Sequence, residues 1–300
     1  MAALAVVVCS ATGAQPHAVH GGNVLVLGRI SDNPKAHYDQ LKPLLDYVVP
    51  RMRGVGITEG RILMARDAQQ MTSYLRRGRV DWVTETSGAG MQLQLRAGAK
   101  ALLLTERSGV STYHSVFFAR RDSGINSLSD LKGRSIAFQN TASTSSYFVP
   151  AARMLEQGLP LEILLSPLDR PSPDSVGYVF ARSELNVAAW VHKRLLDAGV
   201  LSSLDWRDEQ RLPRSFLDDM VIIHTTEDYP RALEMVRFGL DTRVEARLRQ
   251  VLLDAAGDPA GRKALDAFFR TTRFLPIDRQ AQTGLDSVRA AVTRVREQIE

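Results

Sequence analysis

Residues 61–83, RILMARDAQQMTSYLRRGRVDWV, read as a strand, a helix and a second strand in close succession. Arg61 to Ala65 is a short apolar run, Ala68 to Arg77 carries helical spacing closed by Gly78, and Val80 to Val83 alternates again as a buried strand. Upstream, Asn23 to Leu27 (NVLVL) is a β-branched and leucine run, and His37 to Val49 repeats apolar residues at helical spacing before Gly54 and Gly56 break the chain. Downstream, Gln92 to Ala97 reads as a helix and Ala101 to Leu104 as a strand. This β-α-β-α-β alternation predicts a parallel sheet covered by helices on both faces, with ligands at the carboxyl ends of the strands.

A second cycle follows. Ser115 to Ala119 (SVFFA) and Ser135 to Phe138 (SIAF) are strands, with a helical turn at Leu128 to Leu131 between them and Gly133 as its stop. After a Ser/Thr-rich loop come a helix to about Glu156, strands at Glu162 to Leu165 and Gly177 to Phe180, a helix through Ala188 to Leu196, and a strand at Val221 to Ile223. Met235 to Phe238 and the helical pattern Val244 to Leu252 read as a return to the first domain, whose own elements are too few to close its sheet. The expected division is a discontinuous lobe 1, residues 22–116 and 225–300, and a lobe 2, residues 117–224. No repeat is present, and Pro171 and Pro173 mark a surface loop.

The 300 residues are 44% hydrophobic and 24% charged, which excludes disorder and leaves room for two packed cores. A formal charge of +5 is a mild bias toward anionic partners. It is too thin for a nucleic-acid binder, and the arginines from Arg237 to Arg249 are better explained as a solvated helix face. Cys9 is the one cysteine, so the rest of the chain has no thiol for a disulfide, a metal or nucleophilic attack. Six histidines (His17, His20, His37, His114, His192, His224) lack metal-ligand spacing. No phosphate-binding glycine loop, zincin helix, nucleophile elbow or dinucleotide fingerprint is written in the chain. No cofactor, metal or catalytic residue is expected, and the reading is not that of an enzyme.

Ala2 to Cys9 is apolar and is followed by small residues to Ala14, which reads as the remainder of a signal peptide over residues 1–14. Arg29 is the first basic residue, so the start is expected to lie inside a longer signal; the alternative is an apolar tail. Val8 before Cys9 argues against a lipoprotein anchor. Export to the periplasm as a soluble protein is the expectation.

The segment 140–150, NTASTSSYFVP, follows the strand SIAF and opens a helix. Ser143, Thr144, Ser145 and Ser146 fall where first-turn N–H groups lack internal partners, so hydroxyls and amides can converge on one oxyanion. The same pattern also fits a serine N-cap in a polar loop.

The longer stretch Tyr113 to Pro150, YHSVFFARRDSGINSLSDLKGRSIAFQNTASTSSYFVP, resembles the phosphonate, phosphite and phosphate periplasmic-binding-protein family of ABC importers. The Tyr-x-Ser strand, the Asp-Ser-x-Ile turn, the Ser-Leu-x-Asp-Leu-Lys-Gly helix start and the Ser-Thr-Ser cradle occur in that family's order. Weaker likeness runs from Asn23 to about Asp278, including Gly78 to Asp81 (GRVD) and Gly257 to Phe274, which resembles the family's carboxy-terminal helix. The resemblance implies a type II periplasmic binding fold, two α/β lobes joined by a hinge with the ligand caught between them. It implies that Ser143, Thr144 and Ser145 form the cradle and that Tyr113 lies at the lobe boundary. Two positions that are often tyrosine in phosphonate binders are Ala68 and Glu85 here, and Arg182-Ser183-Glu184 stands where the family has Gly-Ser-His. Glu85, Ser183 and Glu184 join the expected ligand set. The carboxylates would disfavour a dianion and favour a ligand with a cationic part, such as an aminophosphonate. The implied function is capture of a small oxyanion-bearing, phosphonate-like ligand for an ABC permease. The alternative is a ligand sensor that signals to a membrane sensor kinase. A monomer without nucleic-acid partners is expected.

Overall fold

The computed structural model describes residues 21–299, so the segment 1–14 lies outside the described residues. The chain runs β1 (Val24–Ile30), α1 (Pro34–Val48), β2 (Glu59–Ala65), α2 (Ala68–Arg76), β3 (Trp82–Thr86), α3 (Ser87–Ala97) and β4 (Lys100–Arg107). It crosses through β5 (Thr112–Tyr113) into β6 (Ser115–Arg120), β7 (Ser135–Phe138), α4 (Val149–Glu156), β8 (Leu161–Ile163), β9 (Val176–Phe180), α5 (Glu184–His192), β10 (Ala198–Ser202), α6 (Ser203–Trp206), α7 (Arg214–Asp218) and β11 (Met220–Thr225). It returns through β12 (Tyr229–Pro230) to β13 (Ala232–Val236), α8 (Thr242–Asp254), α9 (Pro259–Ala267), β14 (Thr271–Leu275) and α10 (Arg279–Gln298).

Two six-stranded sheets result, ordered β14-β4-β13-β3-β1-β2 and β11-β6-β10-β7-β9-β8, linked by the antiparallel pair β5-β12. This is the two-lobed type II architecture that the resemblance implies. The first sheet departs from the all-parallel expectation. β1 is parallel to β2 and β3, but β13 lies antiparallel between β3 and β4, and β14 is antiparallel to β4. The cause is the hinge: a chain that leaves through β5 and comes back through its antiparallel partner β12 enters β13 running the other way.

Local chemistry sets the helix starts. Asn33 accepts the Ala36 N–H ahead of α1, and Asp67 accepts the Gln70 N–H ahead of α2. Met71, Thr72 and Leu75 of α2 are buried; a Cβ on Gly28 of β1 would meet the Val80 side chain at 2.7 Å, so glycine lets the helix layer approach the strand. Asp81, at the start of β3, accepts the Val26 N–H and pairs with Arg237 at 2.9 Å, both side chains nearly inaccessible. Two elements differ from expectation at the carboxyl end. Gly257 to Phe274 is not one helix: α9 stops, Phe268 to Arg270 turn, and β14 follows. The 20-residue α10 buries Leu285, Val288, Ala291, Val292 and Val295 and packs on both α3 of the first lobe and α4 of the second. No helix among the described residues is long and apolar enough to cross a membrane.

Candidate functional site

Strand direction decides what meets between the lobes. In the first sheet β1, β3 and β4 end at one edge, and the antiparallel β13 and β14 begin there. Arg29, Glu85 and Arg107 near the ends of the first three therefore converge with Arg231, just before β13, and with Phe269 and Arg270, just before β14. In the second sheet β7, β9 and β10 end at the facing edge and deliver Gln139, Glu184 and Asp205. A cavity of about 920 Å³ opens between them, lined by Arg107, Arg231, Phe269 and Arg270 on one side and by Asp205, Asp208 and Arg211 on the other.

The first-lobe wall carries free positive charge. Arg107 is 8% exposed, and its Nε and Nη2 groups have no hydrogen-bond partner among the described residues. Burial, reinforced by Arg29, lowers its pKa to about 9. Arg29 donates to the Thr84 carbonyl but its Nε is likewise unpartnered, and Arg231 donates to the Arg107 carbonyl at 3.1 Å. None of the three forms an ion pair with a carboxylate among the described residues. The hydroxyl of Ser87, fully buried at the start of α3, also has no partner among the described residues. Behind this wall Glu234 of β13 is fully buried and accepts from Trp82 Nε1, Thr84 Oγ1 and Thr105 Oγ1 at 2.6 to 2.8 Å. Burial nevertheless outweighs those donors and Arg107, and pushes its carboxyl up to about 7.

Glu85 is not an exposed loop carboxylate. It is 4% exposed and accepts the Ile30 N–H at 2.6 Å. Burial raises its pKa, while Arg29 most strongly, and Arg107 less, pull it back. The sequence reading counted it as a repulsive charge, whereas the fold sets two guanidinium groups near it. Ala68 begins α2 beyond the edge strand and does not line the cavity; the aromatic ring there is Phe269, from a distant part of the chain.

The second-lobe wall is largely satisfied within itself. Ser143 caps the π-helical turn Thr144–Phe148 by accepting the Ser146 N–H, and the Ser146 hydroxyl donates to the Val200 carbonyl. Thr144 Oγ1 accepts the Gly88 N–H of α3 at 2.9 Å, a direct contact between the lobes. A Cβ on Gly88 would stand 2.6 Å from that hydroxyl, so glycine is required for the approach. Tyr113, in the hinge strand, is buried, which raises its pKa, while the neighbouring Ser145 and Thr144 hydroxyls pull it back. Its ring packs edge-on against Tyr229, 5.0 Å between centroids, whose hydroxyl meets Ser115 at 2.8 Å. Glu184 accepts from Gln139 Nε2 at 2.8 Å. Arg211 pairs with Asp205 at 2.5 Å and Asp208 at 3.3 Å, with Glu184 at 3.7 Å. Ser183 serves as the N-cap of α5, accepting the Asn186 N–H. No group of three or more His, Cys, Asp or Glu side chains among the described residues is placed to hold a metal ion.

None of the seven sequence-derived residues lines the cavity of about 920 Å³: Tyr113, Thr144 and Ser145 come together at the hinge, Glu85 is buried behind the arginine wall, and Glu184 stands 3.7 Å from Arg211 of the opposite wall. Ser143 and Ser183 face their own helices as caps. Arg29, Ser87, Arg107, Arg231 and Phe269 were missed, because nothing in their local sequence marks them; they share only the sheet edge.

The family model for the ABC transporter, phosphonate, periplasmic substrate-binding protein matches residues 28–282. The chain belongs to this family. XAC2383 from Xanthomonas citri, whose structure was solved bound to a chloride ion, is similar at 55% identity over 92% of this chain and 100% of that one, with a TM-score of 0.88. The same protein bound to ATP gives 55% identity, 93% and 100% coverage and a TM-score of 0.87. PhnD1 from Prochlorococcus marinus in complex with methylphosphonate shares the fold at 18% identity, over 91% of this chain and 99% of that one, with a TM-score of 0.64. The phosphonate-family periplasmic binding protein described here is thus a substrate-binding component of a transporter class.

Proposed function

We propose that this protein captures a small ligand bearing a phosphoryl-type oxyanion between its lobes and delivers it to the permease of an ABC importer from the periplasm. The observation that carries the reading is Arg107, more than nine-tenths buried with two N–H groups lacking a partner beside the cavity. A buried guanidinium with no carboxylate at ion-pair distance, felt only from farther off by Glu234 and Glu85, keeps a desolvation cost that a bound oxyanion offsets through charge-assisted hydrogen bonds. Arg107, Arg29, Arg231 and the Ser87 hydroxyl are the proposed donors. Tyr113, Ser143, Thr144 and Ser145 complete the closing surface of the second lobe, and Glu184, with Asp205 and Asp208, faces any cationic part of the ligand. Glu85 balances the arginines, and Ser183 holds α5 in place. No catalytic step is needed.

A ligand larger than methylphosphonate is favoured by the cavity of about 920 Å³ and its several guanidinium groups. The ATP bound by XAC2383 points the same way, toward an organic phosphate. Isothermal titration with phosphate, methylphosphonate, 2-aminoethylphosphonate and ATP tests the reading. At least one of these should bind, and Arg107→Met should abolish that binding while the protein stays folded. A wild-type protein that binds none of them, or an Arg107→Met variant that binds as well, overturns it.

A further inference from the structure

Two like charges stand side by side in the first-lobe wall, and an aromatic ring rather than an ion-paired carboxylate holds them. The guanidinium carbons of Arg29 and Arg107 lie 4.3 and 4.8 Å from the centre of the Phe269 ring. Carboxylates and rings hold arginine differently. A carboxylate takes the N–H groups along the guanidinium edge, the groups an oxyanion also needs, whereas a ring attracts the planar face and leaves the edge free. The free edge is what is observed: Nε and Nη2 of Arg107 and Nε of Arg29 have no partner among the described residues.

The backbone beneath the ring is held against its own preference. Phe269 has φ 54° and Arg270 φ 53°, the left-handed region that a bulky side chain rarely adopts. Ser108, the residue after Arg107, has φ 51° and donates its N–H to the Arg270 carbonyl at 2.8 Å, so the two turns lock each other. Three of the five non-glycine residues with positive φ among the described residues thus lie in this one pair of turns. Strain of this kind persists where the surroundings over-determine it, and it clusters at ligand sites. Phe269 is only partly buried: one side of its ring packs on the first-lobe core, edge-on to Phe268 at 5.2 Å and 5.8 Å from the His37 ring, and it also carries the two guanidinium groups.

We propose that Phe269 is a positioning residue for ligand recognition, holding Arg29 and Arg107 so that their N–H groups stay free for an oxyanion before ligand arrives, Arg107 in the cavity wall and Arg29 behind it. The inference rests on the oxyanion-binding role given to those arginines above. Preorganised donors need no ordering when the ligand binds, which is where the gain in affinity arises.

The test compares Phe269→Asn with Phe269→Tyr. Asparagine tolerates the left-handed backbone but has no ring; tyrosine keeps the ring. For whichever of phosphate, methylphosphonate, 2-aminoethylphosphonate or ATP binds the wild type, Phe269→Asn should lower affinity at least tenfold at a temperature where the variant is fully folded, whatever melting temperature is lost with the ring's contact to Phe268. Phe269→Tyr should stay within threefold of wild type. A ring that merely fills space predicts a lower melting temperature with affinity kept, and that result overturns the proposal. Nitrogen NMR of the guanidinium groups gives a ligand-free readout: rotation of Arg29 and Arg107 should be restricted in wild type and Phe269→Tyr and released in Phe269→Asn. A wild type that binds none of the four anions refutes the oxyanion reading, while unchanged guanidinium rotation in Phe269→Asn refutes the positioning role by itself.

Discussion

The two walls of the cleft are built on the same plan and are left with opposite electrostatics. Each is the edge of a six-stranded sheet where most strands end and helix starts gather. On the first lobe Arg29 and Arg107 have no carboxylate at ion-pair distance and lie against a ring; on the second, Arg211 is surrounded by Asp205, Asp208 and Glu184, and the Thr144 and Ser146 hydroxyls are bonded within the protein. A guanidinium already neutralised by carboxylates gains little from another anion, whereas a buried unpaired one gains much. The difference teaches that a donor's availability, more than its type or number, separates a gripping wall from a closing wall.

The most severe way to break this contrast is to remove the free donors. Arg107→Met should cost two charge-assisted hydrogen bonds at roughly 1.5 to 3 kcal/mol each, at least a hundredfold in anion affinity by calorimetry. Retention of affinity would mean that the first-lobe wall does not grip.

Next in size is a pH effect confined to the first lobe. Glu234 has a folded pKa of about 7 against an ordinary 4.5, so its protonated form is favoured by folding. The stability it contributes is fully present below about pH 4.5 and is lost as pH rises through about 7, a loss on the order of 3 kcal/mol. Denaturant unfolding followed from pH 5 to pH 8 should show this loss, Glu234→Gln should flatten it, and hydrogen exchange should locate it in β13 rather than β10. A wild-type profile that rises with pH, or one unaltered by Glu234→Gln, contradicts the assignment.

Thr144→Ala probes the contact across the cleft. Losing the acceptor for the Gly88 N–H should weaken the closed form by about 1 kcal/mol, close to fivefold in ligand affinity, with the unfolding midpoint little changed. No change in affinity would mean that this contact is absent when ligand is bound.

The smallest effect is expected on the second wall. Arg211→Met should alter anion affinity by less than threefold, because its charge is answered by Asp205 and Asp208 and its side chain is half exposed. A loss as large as that of Arg107→Met would erase the contrast between the walls.

How much was legible varies with the kind of signal. The strands NVLVL, RILMA, SVFFA and SIAF are strands, since short β-branched or aromatic runs bounded by turn residues have few other options. β10, read from Ala198-Gly-Val-Leu-Ser202, was missed because its glycine and its lack of alternation hide it. The amphipathic α10 was passed over although Leu285, Val288, Val292 and Val295 repeat at helical spacing. At the site, Thr144 and Ser145 were visible as a hydroxyl cluster after a strand, a local pattern. Arg29, Arg107 and Arg231 were not, because each is an ordinary arginine in its own neighbourhood.

The sequence by itself determined the alternation of strands and helices, the two lobes with a returning chain, and the family, because periodicity and an ordered set of local motifs are properties of contiguous residues. The tertiary structure alone decided which charges are free. Arg29, Arg107, Arg231 and Phe269 are spread over more than two hundred residues, and they meet because the returning β13 and β14 run antiparallel and begin where β1 and β4 end. Among the hydroxyls at residues 143–146, legible as donors, Ser146 is spent on the Val200 carbonyl while Ser143 and Thr144 accept N–H groups, for the same reason: hydrogen-bond availability depends on what the fold brings within about 3 Å, and no local spacing encodes that distance.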